Sequence, residues 1–103
     1  MRFRLEFHPL VRIDVAEASV WYEQREPGVG ARLEADTREL FRCLGDEALL
    51  YAVRFSDIRR ANLRKFPYGI FYFVVGQSVV VLGVFHAARD SGAALRRRRQ
   101  AYG

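Results

Sequence analysis

The feature that most constrains this chain is a pair of apolar segments in its second half, joined by two residues. The segments are GIFYFVV at 69–75 and SVVVLGVF at 78–85, with Gly76 and Gln77 between them. Their β-branched and aromatic residues are typical of strands, and the short connection predicts an antiparallel hairpin. Nearly every position in both segments is apolar, so the hairpin carries apolar side chains on both faces. Any fold that contains this hairpin must therefore accommodate two apolar faces of one sheet.

Two helices are predicted ahead of the hairpin. Pro9 suits a first helical turn, and apolar residues at helical spacing extend that helix over 9–25. The segment EPGVG at 26–30 interrupts it, because Pro27 cannot continue a helix smoothly and the glycines permit a tight turn. A second helix then runs from 29 to about 45. The apolar stripe of the first helix, in which Trp21 is predicted to be a core residue, is Leu10, Ile13, Ala16, Val20 and Trp21. The stripe of the second helix is Val29, Leu33, Thr37, Leu40, Phe41 and Leu44.

Further strands flank these helices. FRLEF at 3–7 alternates apolar and charged residues, and ALLYAVRF at 48–55 and DIRRANLRKF at 57–66 are two more candidate strands. Two helices from one continuous segment can cover one face of such a sheet. The sequence therefore predicts an α+β, two-layer fold with an N-terminal strand, a helical hairpin and then an antiparallel sheet of three or four strands.

The second apolar face of the sheet has no helix assigned to it. Phe71, Phe73 and Val75 alternate with Ile70, Tyr72 and Val74, so helices on one side leave the other side apolar. An exposed apolar face of this size marks a partner site. The alternative is that long loops or the C-terminal tail fold over this face.

Length and cysteine content indicate one small intracellular domain. A chain of 103 residues, half of them hydrophobic, can bury one core. Cys43 is the single cysteine, which excludes an internal disulfide and a cysteine-rich metal site. No segment approaches the about 20 apolar residues of a membrane span. We expect a cytoplasmic protein with no cofactor, no metal site and no membrane partner.

Basic residues are concentrated in the second half of the chain. Residues 1–50 hold 7 Lys and Arg against 10 Asp and Glu, a net charge of −3, whereas residues 51–103 hold 10 against 2, a net charge of +8. The second half would therefore attract a polyanion. The candidates for contact with a nucleic acid or another target are Arg59, Arg60, Arg64 and Lys65. We assign 1–92 to the domain and 93–103 to a basic tail, either a last helical turn or disordered, in which Arg96–Arg99 contribute mainly non-specific charge.

The order of these segments, together with five short motifs, resembles a known family. The motifs are a His-Pro-led helix, a Trp-Tyr-Glu run, Pro-Gly-x-Gly at the helical turn, RKFPY before the hairpin and His-x-x-Arg-Asp after it. Over roughly residues 3–91 the chain resembles toxins of the RelE/ParE superfamily, the toxic halves of bacterial type II toxin–antitoxin modules. The resemblance implies a plasmid-stabilisation type of toxin that inhibits growth and is neutralised by direct binding of a cognate antitoxin. The residues that would bind the antitoxin are Phe71, Phe73, Val75, Val79 and Val81.

The resemblance implies two alternative modes of toxicity. One branch resembles ribosome-dependent endoribonucleases that cut mRNA, and for that branch His86 and Arg89 would be the catalytic pair. The other branch resembles gyrase poisons, which hydrolyse nothing. Gly69 stands where ribonuclease members tend to place an arginine, and no aromatic residue follows the last strand until Tyr102. We therefore expect binding to a protein target such as DNA gyrase, with the ribosome and mRNA as the alternative target, and the sequence does not decide whether the chain is an enzyme.

Overall fold

The computed structural model describes residues 2–103. In chain order its elements are β1 (Arg4–Phe7), α1 (Val11–Arg25), α2 (Val29–Glu47), a 3-10 turn (Ala48–Leu50), β2 (Val53–Phe55), β3 (Ile58–Asn62), β4 (Tyr68–Val75), β5 (Ser78–His86) and α3 (Gly92–Gln100). The two predicted helices and the predicted hairpin are confirmed, with ends that differ from the prediction by about two residues.

All five strands lie in one sheet, in the order β1-β5-β4-β3-β2. β1 pairs with β5 in parallel, and the other three pairings are antiparallel. The parallel pair is possible because the helical hairpin supplies the long connection that parallel strands require. At the β4–β5 turn Gly76 has a φ of +57°, which glycine adopts without steric cost. These findings confirm the predicted α+β class.

Glu23 closes the helical hairpin. Its carboxylate accepts hydrogen bonds from the backbone N–H groups of Gly28 (2.9 Å) and Gly30 (3.0 Å). These groups lie at the N-terminus of α2, where N–H groups lack intrahelical partners and negative charge is favourable. Gly28 has a φ of +91°, and a Cβ at Gly30 would lie 2.6 Å from the Ser19 carbonyl oxygen. The two glycines therefore permit the tight turn and the close approach of α1 to α2.

The predicted core stripe of α2 is confirmed. Leu33, Leu40 and Leu44 are buried, and α2 packs with α1 over one face of the sheet. The side chains of β4 and β5 on this face are Ile70, Tyr72, Val79, Val81 and Val84. The Tyr72 hydroxyl donates a hydrogen bond to the Ala48 carbonyl oxygen at 2.6 Å, which satisfies a buried polar group.

The predicted core stripe of α1 is wrong. All five of its residues, including Trp21, are exposed, whereas Val11 and Ala18 are buried and Val15 packs against the core. α1 carries apolar residues on two faces, so helical spacing alone could not tell which face packs. The consequence is a helix whose outer face presents large apolar side chains to solvent.

The second face of the sheet is covered by the chain itself, so the expectation of an open apolar face is wrong. α3 lies on this face, and Leu95, 0% exposed, packs in a cluster with Phe71, Phe73 and other side chains of the sheet. At its C-terminal end, Arg99 pairs with Asp57 in the β2–β3 turn at 2.9 Å and lies 3.8 Å from the Phe73 ring centroid. The structure confirms the alternative prediction, in which the C-terminal tail folds over this face.

A bulge in β5 provides the third attachment of α3. The pairing register of β4 and β5 shifts where Phe71 faces Gly83 and Tyr72 faces Val81. Beside this shift, the Val84 N–H and the Leu82 carbonyl group form hydrogen bonds with side chains. The Asp14 carboxylate accepts from Val84 N at 3.1 Å, and the Arg98 guanidinium donates to the Leu82 carbonyl oxygen at 2.9 Å. The predicted boundary between 92 and 93 falls in the first turn of this attached helix.

Candidate target-binding cleft

A cleft of about 320 Å³ lies where β4 begins and β5 ends. Tyr68 pairs with His86 and Gly69 pairs with Phe85 at this end of the hairpin. β2 and β3 form one wall, and the loop between β5 and α3 forms the other. Its charged and titratable lining residues are Arg54, Arg60, His86, Arg89 and Asp90.

Arg60 reaches across the sheet over Gly69. A Cβ at Gly69 would lie 2.5 Å from the Arg60 Nε atom, so the glycine leaves the space that the arginine occupies. Arg60 Nε donates to the Asn62 Oδ1 atom at 2.7 Å, and the guanidinium lies 5.4 Å from the Phe71 ring centroid. The guanidinium that lies above Gly69 of β4 is therefore that of Arg60, on the neighbouring strand β3.

His86 and Arg89 lie together, as the sequence predicts. The His86 Nδ1 atom accepts a hydrogen bond from the Ala88 N–H at 3.0 Å, which leaves Nε2 to carry the proton of the neutral ring. The Arg89 guanidinium stacks 4.4 Å from the Phe85 ring centroid. The Tyr68 ring meets the His86 ring edge-to-face at 5.2 Å between centroids. Both side chains are exposed and so can reach a partner molecule.

The positive charge of the cleft is not neutralised within the described part of the chain. In residues 2–103, none of Arg54, Arg60 and Arg89 forms an ion pair. The one carboxylate in the lining, Asp90, accepts a hydrogen bond from Gly92 N at 3.3 Å. Three guanidinium groups from three separate segments therefore converge on a concave surface. Such an arrangement attracts and binds phosphate or carboxylate groups.

The other predicted target-binding residues lie elsewhere. Arg59 faces away from the cleft and donates to the Tyr51 carbonyl oxygen at 2.6 Å, because successive residues of a strand point to opposite faces. Arg64 and Lys65 lie in the exposed loop before β4, where Lys65 N donates to Asp36 Oδ2 at 3.0 Å. Of the four predicted cations, Arg60 alone lines the cleft.

Arg54 was missed by the sequence analysis. It lies on β2, a strand of three residues that pairs with β3, and it lines the same cleft as Arg60 of β3. The signal that could have found it is the short β2–β3 hairpin, whose turn is Ser56 and Asp57.

The expected antitoxin-binding residues fall into three environments. Phe71 and Phe73 are buried beneath α3, and Val79 and Val81 are buried on the opposite face of the sheet. Val75, at the β4–β5 turn, is 58% exposed. Val75 is the member of this set that a partner can reach without moving a helix. The assignment itself stays a prediction.

The tyrosines of the chain do not supply a base to the cleft. Burial, with a smaller contribution from Tyr22, raises the pKa of Tyr68, so its phenol keeps its proton at neutral pH. Tyr102 packs against Phe73 and His8 instead, and burial raises its pKa as well. Proton transfer in the cleft would rest on His86. In residues 2–103 no three His, Cys, Asp or Glu side chains are grouped as ligands of a metal ion.

Comparisons with known proteins identify a matching family and a solved structure with a similar fold. The family described as the ParE toxin of the type II toxin–antitoxin system parDE matches residues 5–91. A solved structure described as the chromosomal ParDE TA system from P. aeruginosa superposes with a TM-score of 0.74. That structure is 17% identical in sequence, and the match covers 82% of this chain and 96% of that chain. No curated protein sequence matches this chain. No helix in residues 2–103 is long and apolar enough to cross a membrane.

Proposed function

This chain belongs to the ParE toxin family of type II toxin–antitoxin systems, and we propose that it inhibits bacterial growth by binding DNA gyrase in the cytoplasm. In this proposal a cognate antitoxin neutralises it by direct binding. The cleft lined by Arg54, Arg60, His86 and Arg89 is the surface that contacts the target.

The observation that carries this proposal is the match to the ParE family over residues 5–91. The matched segment runs from β1 to the loop after β5, and it includes every charged lining residue of the cleft. The cleft therefore belongs to the part of the chain that resembles ParE toxins.

The chemistry of the cleft supports binding better than hydrolysis. Each guanidinium can hold a carboxylate or a phosphate in a bidentate contact. Cleavage of RNA would also require proton transfer to and from the reacting oxygens. Burial raises the pKa of Tyr68, so its phenol keeps its proton at neutral pH and cannot serve as a general base beside His86. The alternative of a ribosome-dependent mRNA endoribonuclease is not favoured, because the family that matches the chain is that of the ParE toxins.

The test is induced expression of the chain without an antitoxin, with two readouts from the same cells. Primer extension on translated messages measures mRNA cleavage, and gyrase-dependent breakage of chromosomal DNA measures action on gyrase. We expect DNA breakage with intact messages. Cuts in the messages with intact DNA would overturn the gyrase target in favour of the endoribonuclease, and uninhibited growth would overturn the toxin function.

A pair of variants tests the role of the cleft. Arg60→Gln together with Arg89→Gln removes two unpaired guanidinium groups from the cleft, and we expect growth arrest to be lost. Arg32→Gln is the matched control, since it removes an exposed arginine of α2 that lies 3.4 Å from Glu26. If the control relieves growth arrest as strongly as the double variant, the cleft is not the target-binding surface.

A further inference from the structure

The four consecutive arginines of α3 divide into two pairs with different environments. Arg98 and Arg99 form ion pairs with aspartates of α1 and of the β2–β3 turn, so they attach the helix to the rest of the chain. Arg96 and Arg97 are exposed, and neither forms an ion pair in residues 2–103. The second pair is therefore available to a ligand.

Arg96 connects α3 to the target-binding cleft. Gly92, the first residue of α3, lines the cleft. A Cβ at Gly92 would lie 3.4 Å from the Arg96 Nη1 atom, so the guanidinium lies against this glycine. α3 also begins here without a side-chain cap, and the positive end of a helix dipole favours an anion. Arg96 therefore adds a guanidinium to the edge of a cleft that Arg54, Arg60 and Arg89 already line.

Arg89 connects the cleft to a second concave surface. It lines the cleft and also an adjoining pocket of about 250 Å³, which Arg97 lines from α3. The arginines of the two concave surfaces thus form one continuous group, which we call the guanidinium strip. None of its members forms an ion pair in residues 2–103. The members of the strip are Arg54, Arg60, Arg89, Arg96 and Arg97.

The composition of the cleft fits a polyanion better than a folded protein. Protein–protein interfaces have a central region that is depleted of charge and enriched in aromatic residues. In the cleft, Phe55 and Phe71 pack into the cluster beneath α3, and the charged groups are what the surface presents. The one carboxylate of the lining, Asp90, already accepts a hydrogen bond from Gly92 N at 3.3 Å. Surfaces that are rich in positive charge and poor in apolar contacts are typical of proteins that bind DNA.

The lining also favours a duplex over a single strand. Proteins that bind single-stranded nucleic acids stack the bases on exposed aromatic rings. Phe71 is buried, Phe55 is half-buried, and the ring of His86 is in edge-to-face contact with Tyr68. Guanidinium groups that contact phosphates alone suit a duplex, because its bases are already stacked on one another.

We propose that the guanidinium strip binds the phosphate backbone of double-stranded DNA, and that this DNA is the segment held by gyrase. The inference rests on the proposed function, because it names the part of the gyrase complex that the cleft contacts. α3 then has two roles. Its buried side covers the sheet, and its exposed side adds the phosphate contacts of Arg96 and Arg97. The helix lies outside residues 5–91, the segment that matches the family.

The first experiment measures binding of the purified full-length chain to a short DNA duplex of arbitrary sequence over a range of salt concentrations. Five phosphate contacts predict a slope of about −4.5 for the logarithm of the association constant against that of the salt concentration. Arg96→Gln together with Arg97→Gln should bring the slope to about −2.7 and weaken binding about tenfold or more near physiological salt. Absence of binding to the duplex by the wild-type chain would overturn the proposal.

A second pair of arginines provides the matched control. Arg12 on α1 and Arg38 on α2 are exposed, form no ion pair in residues 2–103 and line a different pocket. Arg12→Gln together with Arg38→Gln removes the same total charge and should leave the slope unchanged. An equal change of slope in both double variants would show that the net charge acts and the strip does not. Circular dichroism verifies that both variants are folded.

Competition identifies the kind of nucleic acid. Labelled duplex bound to the chain is titrated with unlabelled duplex and with single-stranded RNA of the same length. We expect the RNA to compete less well than the duplex. Equal or stronger competition by the RNA would overturn the assignment to double-stranded DNA.

Gyrase separates this inference from the proposed function. The chain should bind the gyrase–DNA complex more tightly than DNA-free gyrase, and the Arg96→Gln, Arg97→Gln variant should lose that difference. If the variant weakens binding to DNA-free gyrase by the same factor, the strip contacts protein and the proposal is overturned. If the chain arrests growth through gyrase but does not bind the duplex, only the strip is wrong. If it binds the duplex as expected but leaves growth uninhibited, the strip is supported and the proposed function fails.

Discussion

The Arg98 guanidinium and the Asp14 carboxylate form an ion pair at 2.6 Å, although 84 residues separate them in the chain. The two side chains are only 11% and 8% exposed. Asp14 also accepts from Val84 N, and Arg98 also donates to the Leu82 carbonyl oxygen. One buried pair therefore joins α1 to α3 and satisfies the backbone groups that the bulge in β5 leaves unpaired.

Removal of one member of this pair should destabilise the fold. Asp14→Asn leaves the Arg98 charge buried without its counter-charge, and we expect the free energy of unfolding to fall by about 3–5 kcal/mol. Urea denaturation followed by circular dichroism measures it. Glu39→Gln is the control, because it breaks the exposed Glu39–Arg42 pair and should leave the urea midpoint almost unchanged. Equal effects of the two substitutions would show that burial of the Asp14–Arg98 pair does not matter.

Leu95 should hold α3 on the sheet. Leu95→Ala deletes a fully buried side chain, and we expect a loss of about 2–5 kcal/mol together with increased binding of a hydrophobic dye. The dye would report the uncovered side chains of the second face, including Phe71 and Phe73. Ala93→Gly, at an exposed position of the same helix, is the control for loss of helix stability alone. A Leu95→Ala variant with wild-type dye binding would contradict the role of α3 as a cover.

Gly69 should be required for the position of Arg60 in the cleft. Gly69→Ala places a Cβ 2.5 Å from the present position of Arg60 Nε, so the flexible arginine must move while the sheet remains folded. We expect weaker growth arrest with a nearly unchanged thermal midpoint. Combined with Arg60→Gln, the substitution should have no further effect on growth, because the displaced group is already absent. Additive effects would show that Gly69 acts independently of Arg60.

His8 should make the stability of the fold depend on pH. Burial, followed by the nearby Arg98 charge, lowers the pKa of His8 below 6.5, and Asp14 opposes this shift. The folded chain therefore binds fewer protons than the unfolded chain in mildly acidic solution. The contribution of His8 to stability is complete above about pH 6.5 and is lost as the pH falls through the lowered pKa.

The measurement for His8 is the difference in urea midpoint between pH 7.5 and pH 5.5. His8→Asn keeps an acceptor for the Leu10 N–H, which now donates to His8 Nδ1 at 3.1 Å. We expect the variant to lose less stability on acidification than the wild-type chain. An equal or larger loss in the variant would contradict a lowered pKa of His8.

The candidate site could be predicted only in part from the sequence. The proximity of His86 and Arg89 was predictable, because Arg89 follows the end of β5 at His86 by only three residues. The inclusion of Arg60 and the exclusion of Arg59 required the register of β3, since adjacent strand residues point to opposite faces. The inclusion of Arg54 required the pairing of β2 with β3. The sequence does not predict this pairing, because both segments are short and their pairing is irregular.

The sequence by itself determined the elements and their order, because turns, strand alternation and helical spacing are properties of neighbouring residues. It also determined that both faces of the β4–β5 hairpin and both sides of α1 are apolar. Only the tertiary structure decided which of these surfaces is buried, since burial depends on contacts between distant segments. The basic C-terminal helix covers the sheet because Leu95, Arg98 and Arg99 meet the second face, Asp14 and Asp57. The large apolar side chains left exposed therefore include those on the outer face of α1.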